Sequence, residues 1–269
     1  MIKLVWFISQ PTDNIEEWEQ WYQDEHIPTG MRQERLQRFR VNRSFFPQPQ
    51  FVKNCSGSDN PRAYRFSEGY WKTVEDIQHC YVSVHGRAAL ADSPLNFRPP
   101  SMPFPPTPVL VMEEESFKVE RELCFNLGDG CYRAPLACKL FGFLRLDEPS
   151  LRRFDNSYCD LALSATRSAE LRGHVLSRSI NAVIRPGKAV QWPPPEAEWF
   201  DRAIEYYFEC PEDLDRFCNS EYMGKVLSLC EDTTVVPTWN AVRIQEVFFT
   251  TSGDQPLEES WKALYRHKR

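Results

Sequence analysis

The stretch Trp18-Glu19-Gln20-Trp21-Tyr22-Gln23-Asp24-Glu25-His26-Ile27-Pro28 gathers a phenol, a carboxylate and an imidazole in little more than one helical turn. Tyr22 and His26 are four residues apart, so on a helix they stack on one face above Trp18. Glu25, three from Tyr22, borders that face, and Pro28 is expected to stop the helix shortly after His26. Histidine titrates near neutral pH, and a neighbouring carboxylate fixes its tautomer and raises its basicity. Such a set moves protons. The same residues also suit a structural purpose, with His26 as a cation at a helix end and Tyr22 as core.

Other polar candidates lie on strands. Arg43 alternates with Asn42 and Ser44, so it points away from them. Facing a cavity it would hold a substrate carboxylate, which its planar fork matches; facing solvent it would form a surface ion pair. Tyr64 and Arg65 are weaker versions of the same candidate substrate contacts. Trp6 and Trp71, with Phe45 and Tyr70, would wall an aromatic pocket or simply fill the core. His79 and His85, six apart, read as surface or interface histidines. No G-x-G-x-x-G, Walker loop, G-x-S-x-G elbow or H-E-x-x-H occurs, which removes the usual nucleotide, phosphate and serine-hydrolase routes. His26 with Glu25 supplies at most two metal ligands, so no metal site is expected.

The elements that must carry these residues occur twice, about 136 residues apart. Lys3–Ile8 matches Lys139–Leu144 as a short apolar strand. A proline-marked turn follows (Pro11, Pro149), then an amphipathic helix in which Ile15, Trp18 and Tyr22 correspond to Leu151, Phe154 and Tyr158. Val41–Phe45 matches Leu176–Ile180, and Tyr70–Ile77 matches Tyr207–Leu214. In that last pair an aromatic strand end runs into an acid-rich helix start, with Thr73 and Cys210 at the cap; Thr is the better cap. Val109–Phe117 with Glu115, and Asn240–Phe249 with Glu246, close the halves. Each half reads β-α-β-β-α-β, the ferredoxin-like order of an α+β fold: an antiparallel sheet with two helices on one face. An apolar bare face needs a cover, and two tandem copies supply it to each other. The expected division is a first repeat over 1–117, a linker over 118–138, a second repeat over 139–250 and a tail helix over 251–269. Pro94, Pro99, Pro100, Pro103, Pro105, Pro106 and Pro108 form an extended strap in the first half, and Pro193–Pro195 mark a loop in the second.

With 32 Lys and Arg against 38 Asp and Glu, the net charge is 32 − 38 = −6 over 269 residues, which argues against a backbone-reading nucleic-acid partner. Hydrophobic residues make up 42%, enough for a core, yet no uncharged apolar stretch reaches the ~20 residues of a membrane helix. The opening run Ile2–Ile8 contains Lys3 and is only strand-long, so it does not read as a signal peptide. The nine cysteines are odd in number and lack any C-x-x-C pair, so reduced thiols in a cytoplasmic protein are expected.

The W-Y-x-x-E-H-x-P string from Trp21 to Pro28, after an N-terminal strand, resembles the EthD-like branch of the dimeric α+β barrel superfamily. Small members of that superfamily pair through their sheets; here the tandem repeat would make the dimer within one chain, as a monomer or as a further homodimer. The resemblance implies a cavity between sheet and helices, small aromatic or polyketide-like substrates, and catalysis commonly without a cofactor. It places Tyr22, Glu25 and His26 as the catalytic residues. Tyr158 keeps the Tyr22 position, but Leu161, Ala162 and Ser164 replace Glu25, His26 and Pro28, so one working half and one degenerate half are expected. The expected function is a general acid–base enzyme for a small anionic aromatic or dienoic acid, acting by isomerisation, decarboxylation or lyase cleavage, or ester or lactone hydrolysis. The alternatives are a haem-binding barrel with a histidine ligand and a non-catalytic binding or assembly module.

Overall fold

The computed structural model describes residues 2–8, 15–56, 63–91, 109–119, 138–146, 148–165, 167–179, 200–231 and 238–249. The proline strap, most of the linker, Pro193–Pro195 and the tail after residue 250 lie outside the described residues. The first half runs β1 (Ile2–Ile8), α1 (Ile15–Trp21), a π turn (Tyr22–His26), α2 (Ile27–Met31), β2 (Arg38–Ser44), α3 (Gln50–Ser56), β3 (Arg65–Trp71), α4 (Val74–Val82), α5 (Val84–Ala91) and β4 (Val109–Val119). The second runs β5 (Cys138–Leu144), α6 (Glu148–Ala165), β6 (Gly173–Ser179), β7 (Arg202–Phe208), α7 (Pro211–Cys218), α8 (Glu221–Glu231) and β8 (Thr238–Phe249).

The eight strands close into one barrel in the order β1-β3-β2-β8-β5-β7-β6-β4. Within it, β4-β1-β3-β2 and β8-β5-β7-β6 are two ferredoxin-like sheets of identical strand order, all neighbours antiparallel. The halves do more than cover each other face to face. Their edges zip together through β2–β8 and β4–β6, which leaves no unpaired strand edge in the barrel.

Strand alternation gives each sheet two buried faces. Leu4 and Ile8 of β1 and Phe39 and Val41 of β2 pack with Trp18, Tyr22, Ile27 and Met31 of the first helical segment. Val5, Phe66, Phe141, Phe143, Ala203 and Val242 meet inside the barrel. The second half repeats the helix layer, with Phe154, Tyr158 and Ala162 of α6 on Leu140, Leu176 and Ile204. Thr73 caps α4, its Oγ1 accepting from the Asp76 N–H at 3.2 Å, whereas Cys210 starts α7 without a side-chain cap bond, as the two residue types imply.

Pro28 does not end the first helix, contrary to the sequence expectation. The chain widens into the π turn, where the Ile27 N–H bonds back to the Tyr22 carbonyl, and Pro28 then opens α2, which runs on to Met31. Proline lacks an N–H and crowds the carbonyl four residues before it. Widening the turn ahead of it removes that conflict, and the start of a new helix tolerates proline.

Candidate functional site

The layer between strand β3 and the α1–π turn–α2 segment holds most of the chemistry-bearing side chains of the first half. Trp18 and Tyr22 stack at 5.0 Å between ring centroids, almost parallel at 19°. Tyr22 is fully buried, and its hydroxyl shares a 2.5 Å hydrogen bond with Ser67 Oγ. His26 is half-buried and lies over both Tyr22 and Trp21, 5.1 and 5.0 Å from their ring centres. An ordinary helix brings residue i+4 over residue i. The wider turn brings i+5 as well, which is why the imidazole meets two rings rather than one.

Arg65, also fully buried, places its guanidinium 4.6 Å from the Tyr22 ring centre and hydrogen-bonds Glu19. Glu19 also accepts from the Tyr64 hydroxyl at 2.5 Å. Tyr64 titrates near 12, raised by burial and by Glu19. Arg43 is exposed at the rim, 5.2 Å from the Tyr64 ring centre and 3.9 Å from Glu19. Glu25 is exposed and makes no hydrogen bond or ion pair among the described residues, so the carboxylate entering the layer is Glu19. Trp6 and Trp71 meet edge to face at 6.3 Å on the same side of the sheet. They close over Gly69, where an added Cβ would come within 2.7 Å of the Trp71 ring. The layer therefore gathers Tyr22, His26, Tyr64 and Arg65, sets Arg43 at its edge and leaves Glu25 in solvent. His79 and His85 lie on separate helices, both exposed, with His79 bonded to Glu34 at 2.9 Å.

The second half repeats part of this arrangement. Phe154 and Tyr158 stack at 4.9 Å and 17°. Arg202 makes a two-pronged pair with Asp155, at 2.9 and 2.6 Å, where the first half has Arg65 with Glu19. A staple between the third strand and the first helix thus occurs in each half, which gives Arg65 a structural partner before any substrate.

Sequence reasoning assigned no imidazole to the second half, but the structure supplies one on a different element. His174 of β6 is fully buried and bonds through Nε2 to the Tyr158 hydroxyl at 2.7 Å. Tyr158 bonds in turn to Tyr206 at 2.7 Å, and Tyr206 to the partly buried Tyr222 at 3.0 Å. Burial pulls His174 down to about 3, opposed only by the nearby Ala162 carbonyl, which favours the charged ring. Ala162 belongs to the last turn of α6, whose carbonyls have no partner within the helix. Burial also raises Tyr158 and Tyr206 well above the usual phenol range and Tyr222 to about 12, so the chain of hydroxyls is neutral. Comparison of the halves carried no signal for His174, because its counterpart in β2 is the apolar Phe39.

Among the described residues no three metal-ligating side chains come together, and no helix is long and apolar enough to cross a membrane. No protein-family model and no curated protein matches the chain. Solved structures do share its fold along nearly the whole length. An anthrone oxidase-like protein is 8% identical with a TM-score of 0.59, over 94% of this chain and 95% of that one. A monooxygenase-like protein of Fusobacterium nucleatum is 6% identical with a TM-score of 0.56, over 91% and 93%. Another from Lactobacillus acidophilus is 6% identical with a TM-score of 0.51, over 93% and 96%. At these identities the likeness is one of fold, that of a dimeric α+β barrel built here from one chain.

Proposed function

We propose that the protein is an enzyme that moves a proton on a small, flat, anionic aromatic or dienoic substrate, using the helix-facing layer of its first half. The observation that carries this reading is the π turn, which stacks His26 on Tyr22 and Trp21 and leaves it reachable from solvent. Single π turns inside helices recur at functional sites, because they spend backbone regularity to aim a side chain. The EthD-like string from Trp21 to Pro28 supports the same assignment. His26 is the proton carrier. Tyr22, held by Ser67 and faced by the Arg65 guanidinium, donates a hydrogen bond to a developing enolate or phenolate oxygen. Arg43 at the rim takes the substrate carboxylate. Glu19 replaces Glu25 as the carboxylate of the site, orienting Arg65 and Tyr64.

This kit needs no cofactor for isomerisation, decarboxylation, lyase cleavage or ester hydrolysis. It equally deprotonates an acidic ring CH₂ such as that of an anthrone, the compound named for one of the fold neighbours. The haem alternative draws no support from the buried histidine, since His174 spends its Nε2 on Tyr158 in a packed layer of rings.

The test is turnover of a panel of aromatic and dienoic acids and an anthrone, followed by mass spectrometry. His26→Ala should slow the active substrate at least ~100-fold, the usual worth of general acid–base catalysis, with little change in melting temperature. Arg43→Ala should raise KM for carboxylate substrates and leave kcat nearly unchanged. A wild-type rate in His26→Ala refutes the assignment.

A further inference from the structure

We propose that Arg243 of the second half joins Arg43 of the first as a two-armed clamp, so that the acid taken by the helix-facing layer carries two carboxylates. The reaction rests on the proton-transfer reading; the clamp is a binding site at the seam of the halves and is testable without turnover.

The two arginines are paired across the β2–β8 seam. Alternation sends their neighbours Asn42, Ser44 and Val242 into the barrel. Asn42 bonds Glu68 there at 2.7 Å, Asn240 bonds Ser44 at 2.8 Å, and Val242 joins the cluster of Val5 and Phe66. Arg43 and Arg243 therefore project together from the outer face. Arg65 of β3 is paired with Arg43 on its other side, so three arginines form a row across β3, β2 and β8.

Inside the barrel the buried charges answer one another: Lys3 bonds Glu205, and Lys139 bonds Glu68 at 2.5 Å and Glu205 at 2.8 Å. The outer row differs. Glu19 is engaged by Arg65 and Tyr64, and its carboxylate stands 3.9 Å from the Arg43 Nε, beyond hydrogen-bond length. Arg243 is exposed and forms no ion pair among the described residues. Its partner on β5 is Cys138, a thiol that burial raises to about 12 and keeps neutral. Asp213 and Asp215 of α7 act on that thiol, but Asp213 is bonded to Arg216 and neither acid pairs with Arg243. Helix α3 covers Trp239 and Ala241 of β8 and leaves Arg243 open. Like charges paired directly across two strands repel, so an anion that bridges them is favoured.

Each guanidinium has its own seat. Arg43 lies 5.2 Å from the Tyr64 ring centre and Arg243 5.7 Å from that of Phe45. Both rings are anchored, Tyr64 through its hydroxyl on Glu19 and Phe45 through its N–H on the Ala241 carbonyl at 3.1 Å. Groups held in place beforehand lose less freedom when a ligand arrives. One fork saturates one carboxylate, so two forks on separate rings match two carboxylates of one molecule; a monoacid leaves a guanidinium unanswered. Glu19 also ties this rim to Arg65, which lies 4.6 Å from the Tyr22 ring centre, so the clamp borders the layer that holds Tyr22 and His26.

Isothermal titration calorimetry of the full chain with benzoate, benzene-1,3-dicarboxylate and inorganic phosphate reads the clamp directly. The dicarboxylate sets its two groups about 5 Å apart, the spacing of residues paired across neighbouring strands. It should bind at least about tenfold tighter than benzoate, the worth of one charge-assisted contact. Arg243→Gln should reduce it to the benzoate level and leave benzoate unchanged. Arg145→Gln, which removes an exposed arginine elsewhere, should keep the preference, as should His26→Ala. Equal binding of the two acids by the wild type, or no binding of the dicarboxylate, overturns the clamp without any variant. A preference that survives in Arg243→Gln, or phosphate bound more tightly than the dicarboxylate, overturns it too. Preference for the dicarboxylate with no turnover of any acid retires the proton-transfer reading and keeps the clamp; turnover of monoacids without that preference does the reverse.

Discussion

Acid should destabilise this protein through His174 in particular. In the folded state burial holds that ring near 3, while an unfolded chain protonates it near the ordinary 6.5. The folded value is the lower one, so between those limits the unfolded chain binds more protons. The stabilisation is therefore complete above about pH 6.5 and is lost as pH falls toward 3. About pH 5 lies roughly 1.5 pH units below the unfolded value, so uptake of one proton by the unfolded chain lowers stability by about 2 kcal/mol relative to neutral pH. Urea unfolding at about pH 7.5 and about pH 5 measures the loss. Carboxylates contribute to the same drop, so the informative quantity is the difference between wild type and His174→Gln. That variant keeps an amide able to meet both Tyr158 and Ala162. Its own stability at neutral pH is immaterial; its pH dependence should be shallower by about 2 kcal/mol. Equal pH dependence in the two proteins would show that His174 is charged or exposed in the folded state, and the neutral hydroxyl chain would fall with it.

Stability should rise again on the alkaline side, because Lys139 is held near 8 against an ordinary 10.5. Charging it costs more in the folded barrel than in the unfolded chain, so denaturation midpoints should climb between those values in wild type and not in Lys139→Met. Cys210→Ser should add about 0.5–1 kcal/mol by capping α7, and Thr73→Ala should remove about 1 kcal/mol from α4, both read by urea midpoints. Gly142→Ala should lower the melting temperature, since the new methyl lands 2.4 Å from the Trp239 ring and overpacking costs about 1–3 kcal/mol; an unchanged value would mean that the indole has room to move.

The strands and the doubled order of elements were legible because each apolar run is short, is bounded by turn residues and recurs at one offset. The contrast between Thr73 and Cys210 as caps was equally readable, since it depends on residue type alone. The helix through Pro28 was not. A single proline reads as a stop, and only the backbone shows that a wider turn ahead of it lets the helix resume. That same extra residue per turn leaves Glu25 in solvent, and Glu19, six residues earlier, takes its place in the layer. His174 escaped because its counterpart Phe39 is apolar, so comparison of the halves gave no hint of it. Lys3, Glu68, Lys139 and Glu205 each look like isolated charges in apolar strands. Their meaning depends on which face the barrel encloses, and that is decided by pairings between residues up to 202 positions apart.

Helix α3 sits between β2 and β3 in the chain, yet Phe51, Val52 and Cys55 pack into the core of the other half. Strand β2 likewise waits for β8, which starts at Thr238. A ribosome releasing this polypeptide therefore emits a leading segment with a greasy ridge and an open seam, and both stay unsatisfied until the trailing strands emerge. During that interval two nascent copies can exchange segments, so yield in a cell should depend on chaperone supply and translation speed more than the finished barrel's stability would suggest.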